Sequence, residues 1–86
     1  MDDETIKLYG YVISSSYREK TVKSLSNSNK IPTDLAEDIG IRTNHISKVL
    51  RELKDCGIAV CINEEKRKNR VYKLTSVGED IAKLID

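Results

Sequence analysis

Gly40-Ile41-Arg42 is the only spacer between two amphipathic stretches, and so short a connection forces the elements on either side to pack against each other. Downstream, Ile46, Val49, Leu50 and Leu53 stand at i, i+3, i+4 and i+7, an apolar stripe of helical period. That pattern predicts a helix over about Thr43 to Cys56, closed by Gly57. Upstream, Pro32 leads into a short helix over about Thr33 to Ile39, with Leu35, Ala36 and Ile39 on one face. Gly40 ends it, where a left-handed residue is needed and only glycine adopts that conformation cheaply. Ala36 is small where the second helix must cross closely, and Ile46 fills the angle between the helices. Leu35, Ile41 and Val49 complete the local core. Any one of these matches occurs everywhere, but six together predict a helix-turn-helix.

A hairpin follows at once. The segment IAVCI, residues 58–62, is β-branched and apolar, and VYKLT, residues 71–75, is similar; both predict strands. Between them lies NEEKRKNR, residues 63–70, with six charged side chains in eight positions. Outside this unit, residues 4–13 predict a short helix despite Gly10. Ser16-Tyr17-Arg18-Glu19 has the spacing of a capping box and opens a helix to about Leu25, with Val22 and Leu25 inward. SNSNK, residues 26–30, reads as a polar turn. Ser76-Val77-Gly78-Glu79 opens a last helix with Val77, Ile81, Leu84 and Ile85 inward.

The 86 residues make one small domain, 1–86, of α+β class. No apolar run approaches the ~20 residues needed to span a bilayer, so no membrane partner is expected. The acidic opening Met1-Asp2-Asp3-Glu4 is unlike a secretory signal and points to a cytoplasmic protein. Cys56 and Cys61, five apart and in no CxxC pattern, suit free thiols in a reducing compartment. With one histidine and no third or fourth ligand nearby, they predict no metal site and no cofactor. No nucleophile stands with a base partner and no glycine-rich loop cradles phosphate, which argues against an enzyme.

The formal net charge is only +1, but it is unevenly placed. Residues 1–41 carry seven acids and five bases, whereas residues 42–73 carry nine bases and four acids. Residues 74–86 return to three acids and one base. A central positive block on a nearly neutral chain is what an anionic partner would meet.

The stretch IPTDLAEDIGIRTNHISKVLRELKDCGIAVCINEEKRKNRVYKLTSVGEDI resembles a winged helix-turn-helix transcription regulator of the small ArsR- or MarR-like kind common in archaea. The resemblance covers residues 14–85. It implies a three- to four-helix bundle with a two- or three-stranded antiparallel β-wing. It also implies a sequence-specific regulator of double-stranded DNA, with a recognition helix over about 43–56 in the major groove. The wing, 63–70, would then lie on the backbone or in the minor groove.

The residues suit that assignment. Asn44, Ser47, Lys48 and Arg51 lie opposite the apolar stripe, with Thr43 and His45 at the entry edge. Asparagine pairs with adenine and arginine with guanine, while serine and threonine reach base or phosphate. Arg42 stands where a serine or threonine usually caps, leaving the cap to Thr43 and Arg42 to a phosphate. In the wing, Lys66, Arg67, Lys68 and Arg70 outnumber Glu64 and Glu65 and supply charge for phosphates. The alternative is a winged-helix module that binds protein within a larger assembly, which would expose apolar residues over 43–51. The N-terminal apolar segment, 1–13 (Ile6, Leu8, Tyr9, Tyr11, Val12, Ile13), and the last helix (Ile81, Leu84, Ile85) hold more apolar surface than one small core absorbs. They predict a homodimer pairing through its ends; no small-molecule effector is legible.

Overall fold

In a computed structural model that describes residues 2–85, the elements run α1 (Asp3–Ile13), α2 (Ser16–Asn27), α3 (Pro32–Ile39), α4 (Thr43–Asp55), β1 (Ala59–Cys61), β2 (Tyr72–Leu74) and α5 (Ser76–Ile85). The described residues thus form five helices, more than the three to four of the resemblance, because residues 3–13 hold one continuous helix through Gly10.

The core forms where the apolar patterns meet. Val22 of α2, Leu35 of α3, and Ile46 and Leu53 of α4 are fully enclosed, with Val12 of α1 and Ile81 of α5 closing it from the ends. The α4 stripe is buried throughout, as its period requires. Ile41, in the turn, packs against this cluster while staying partly exposed.

Two glycines end helices as expected. Gly40 takes φ 75°, and the N–H groups of Gly40 and Ile41 both reach the Ala36 carbonyl at 2.9 and 3.0 Å. Gly57 takes φ 81°, its N–H on the Lys54 carbonyl and the Ile58 N–H on that of Leu53. These bonds satisfy carbonyls that the last turn leaves free. They also aim the chain directly from α4 into β1.

The caps differ from expectation. Ser15, not Ser16, caps α2, its hydroxyl accepting the Arg18 N–H. Thr75, not Ser76, caps α5, accepting the Gly78 N–H at 3.2 Å. At α4 the N-cap is Arg42, with no side-chain capping bond, so Thr43 does not take that role. In each case the cap is the residue just before the expected one, so the helix proper begins one residue earlier than expected, and Ser15 and Arg42 have the extended backbone of a capping position.

The strands are shorter than expected, three residues each in place of five, paired antiparallel in the register Ala59↔Leu74, Val60↔Lys73 and Cys61↔Tyr72. On the far edge of β2, Lys30 exchanges two backbone hydrogen bonds with Tyr72, at 2.9 and 3.1 Å. Helix α2 runs on to Asn27, so the turn expected over 26–30 is confined to 28–31, and it contributes one rung of a third strand through Lys30. The last helix is rotated from expectation too. Ile81 and Ala82 are buried and Val77 and Ile85 half-buried, but Leu84 faces outward.

Two polar clusters tie the helices together. Arg18 spans α1, α2 and α4: its guanidinium lies 3.9 Å from the Tyr11 ring centroid, donates to the Tyr11 carbonyl and the Ser14 hydroxyl, and pairs with Glu52 at 3.3 Å. Lys30 reaches back to the Ser24 hydroxyl at 3.0 Å and lies 3.7 Å from Asp38, whose carboxylate accepts the Ser24 hydroxyl. No described helix is long and apolar enough to cross a membrane.

Candidate nucleic-acid interface

The buried stripe of α4 leaves its opposite face in solvent, and Arg42, Thr43, Asn44, His45, Ser47, Lys48 and Arg51 are all exposed there. Arg42 lends its carbonyl to the His45 and Ile46 N–H groups, which leaves its side chain outside the helix end. The Ser47 hydroxyl donates to the Thr43 carbonyl, a bond within the helix that still leaves its lone pairs outward. His45 turns toward α2, its ring 5.6 Å from that of Tyr17 and tilted by 59°. Asn44, Lys48 and Arg51 form no side-chain hydrogen bond or ion pair with the described residues.

The wing is braced rather than loose. Asn63 closes its base: its Oδ1 accepts the Val71 N–H at 2.7 Å and its Nδ2 donates to the Asn69 carbonyl at 3.2 Å. Asn69 sits at φ 57°, a left-handed conformation that asparagine tolerates better than most residues. Arg70 folds back into the loop, its Nε donating to the Lys66 carbonyl at 2.6 Å and one terminal nitrogen to the Glu64 carbonyl at 3.0 Å. Lys66, Arg67 and Lys68 project into solvent.

Helix and wing enclose a groove of about 570 Å³. Ser47, Arg51 and Lys54 form its α4 wall, Arg67, Lys68 and Arg70 its wing wall, and Pro32 and Thr33 at the start of α3 one end. Five of its lining residues are cations and none is an acid. The groove thus unites Ser47 and Arg51 with three of the four expected wing residues. It does not include Arg42, Thr43, Asn44, His45 or Lys48, which sit along the exposed entry half of α4, or Lys66 at the outer edge of the wing.

Sequence reasoning missed Lys54. Its signal was present, since Ser47, Arg51 and Lys54 stand at i, i+4 and i+7, but Glu52 and Asp55 made the second half of α4 look mixed in charge. The Lys54 ammonium pairs with the Glu64 carboxylate across the junction of helix and wing. The hydrogen bond and charge of Glu64 hold Lys54 above its ordinary 10.5, and the same contact holds Glu64 below 4.5.

The thiols lie away from the groove. Cys61 is buried and Cys56 half-buried. Burial nonetheless pushes the Cys56 thiol above its ordinary 9.0, the reverse of what an activated thiolate needs. Among the described residues no group of three or more His, Cys, Asp or Glu could hold a metal ion.

No protein-family model and no curated protein matches the sequence. Solved structures do. The adhesin competence repressor AdcR of Streptococcus pyogenes superposes with a TM-score of 0.76 at 20% identity, over 94% of this chain and 62% of that one. The MarR family transcription regulator SP03579 gives 0.74 at 23%, over 83% and 48%. The homodimeric winged helix-turn-helix DNA-binding domain Mb0332 of Mycobacterium bovis, described as "a possible ArsR-family transcriptional regulator", gives 0.72 at 19%, over 99% and 81%. The chain spans about half the length of SP03579 and under two thirds of AdcR. These neighbours are transcription regulators rather than enzymes. The chain has the winged helix-turn-helix fold that MarR- and ArsR-type regulators share.

Proposed function

We propose that this chain is a sequence-specific regulator that binds double-stranded DNA without chemistry. Helix α4 enters the major groove and the wing, 63–70, follows the backbone or minor groove. The groove between α4 and the wing carries this reading, because five cations and no acid line it. Phosphates need only positive charge within reach, and the exposed side chains of Asn44, Ser47 and Arg51 supply hydrogen bonds to base edges. Nothing favours the protein-binding alternative over this face, since none of the exposed large hydrophobic residues falls between 42 and 51.

The reading extends to a two-fold homodimer. One recognition helix reads few base pairs, and paired helices about 34–36 Å apart read two half-sites. Ile6 and Ile13 of α1 and Leu84 of α5 are 52%, 43% and 41% exposed at the ends of the chain, although Val12 and Ile81 are absorbed by the core. Mb0332, which aligns over nearly all of this chain, is homodimeric.

Titration of labelled duplex at two salt concentrations tests the function. Binding that weakens steeply with salt and is tighter on a selected near-palindromic site than on random sequence is expected. No salt-sensitive binding even at low ionic strength would overturn the reading.

A further inference from the structure

Lys54 stands on the α4 wall of the groove one turn beyond Arg51, facing the wing cations Arg67 and Lys68. Among the described residues it is the one groove cation whose charge is matched by a carboxylate, that of Glu64 where the wing leaves β1. Arg51, Arg67 and Lys68 have no such partner among the described residues. The side chains of Lys54 and Glu64 are 44% and 52% exposed, so burial does not lock the pair. An exposed ion pair adds little to folding.

We propose that Lys54 is a latent phosphate-binding residue, which Glu64 keeps off the DNA in the intact chain and which is released only when that carboxylate is removed. The proposal rests on the DNA reading above. A phosphate entering the groove meets Arg51, Arg67 and Lys68 directly, but it must compete with a tethered carboxylate for the Lys54 ammonium. Tethering gives Glu64 a high effective concentration at that ammonium, so Lys54 stays with it. The intact chain therefore makes one phosphate contact fewer than its groove geometry allows. Glu64 sets the salt-dependent strength of binding without touching a base.

The test is the slope of log K against log salt on a random-sequence duplex, measured for the intact chain, Glu64→Gln, Glu65→Gln, Lys54→Gln and the Glu64→Gln/Lys54→Gln double variant. Each phosphate contact contributes about 0.9 to that slope. Glu64→Gln steepens it by about 0.9, and the double variant returns it to the value of the intact chain. Lys54→Gln alone leaves it unchanged, because its charge is already engaged. Glu65→Gln removes an acid from the same loop without releasing a cation and leaves it nearly unchanged. Equal steepening by Glu65→Gln would assign the effect to general charge and overturn the gate. So would flattening by Lys54→Gln, which shows Lys54 already on DNA, or no change in Glu64→Gln. Lys54→Gln lies on a regular helix, so flattening in that variant overturns the gate even if Glu64→Gln disturbs the wing. An intact chain that fails to bind at any salt overturns the DNA reading and the gate together. Binding with an unchanged Glu64→Gln slope removes the gate alone.

Discussion

The carbonyl oxygen of Ile58 lies where a β-carbon on Gly78 would have to be, with the Leu74 side chain against the same spot. That carbonyl also accepts the Thr75 N–H at 3.0 Å and its hydroxyl at 3.2 Å. The entry to β1, the exit of β2 and the first turn of α5 therefore share one tight junction, which sets the base of the wing on the helical core. Gly78 has ordinary helical backbone, so what demands glycine here is space rather than conformation.

Gly78→Ala should accordingly destabilise the protein. Alanine favours an exposed helix by up to about 1 kcal/mol over glycine, but forcing a methyl into a packed junction costs about 1–3 kcal/mol. The net loss should lower the melting temperature by several degrees, as a thermal scan will read. A higher melting temperature would show that the junction relaxes freely.

Asn44 and Lys68 should separate base reading from anchoring. Asn44→Ala is expected to cost about 1–3 kcal/mol on a preferred site and little on random duplex. Lys68→Ala should weaken both alike and flatten the salt slope by about 0.9. Equal losses on both sequences for both variants would remove the division of labour between α4 and wing.

Arg70 should act as a brace, since its Nε and one terminal nitrogen hold the carbonyls of Lys66 and Glu64. Arg70→Ala should speed hydrogen exchange of the amides in 63–70 while those of α4 keep their protection. Wing amides exchanging at the unaltered rate would leave Arg70 free to serve as a phosphate contact only.

The acid limb of stability should contain a part due to Glu64. Lys54 holds the Glu64 carboxyl below its ordinary 4.5, so the unfolded chain binds more protons in that range. The stabilisation is present above pH 4.5 and disappears as pH falls through the lowered value. Lys54 is shifted up, so its share is present below 10.5 and lost as pH rises beyond it. Asp2 follows the Glu64 pattern below 3.8, held down mainly by the Thr5 N–H it accepts at the start of α1. The melting-temperature gap between the intact chain and Glu64→Gln should therefore shrink from about pH 6 to about pH 3. A constant gap would mean that the pair does not stabilise the fold.

Sedimentation equilibrium at micromolar concentration should give twice the 9.7 kDa chain mass. Ile13→Glu, placed on the exposed apolar edge of α1, should return it to one chain without unfolding it. A mass near 9.7 kDa, unchanged with DNA at one protein per site, would end the dimer reading.

Local pattern determined a great deal of this protein. The period of Ile46, Val49, Leu50 and Leu53 specifies which face of α4 is buried, and the polar face opposite follows from it. Gly40 and Gly57 end helices because few other residues tolerate their backbone, a requirement visible in a single letter. Other features needed the folded chain. Ser14, Ser15 and Ser16 offer the same hydroxyl in succession, as Thr75 and Ser76 do, so sequence cannot choose among them. The backbone direction of the incoming segment chooses, and it selects Ser15 and Thr75. Leu84 and Ile85 are equally apolar, and only the angle at which α5 crosses α1 and α2 turns one outward. Lys54 meets Glu64, and Ile58 meets Gly78, across chain separations that no local period spans. Periodicity records which faces avoid water, but a single ion pair or a missing methyl depends on how closely two surfaces approach. That distance exists only after the core has closed.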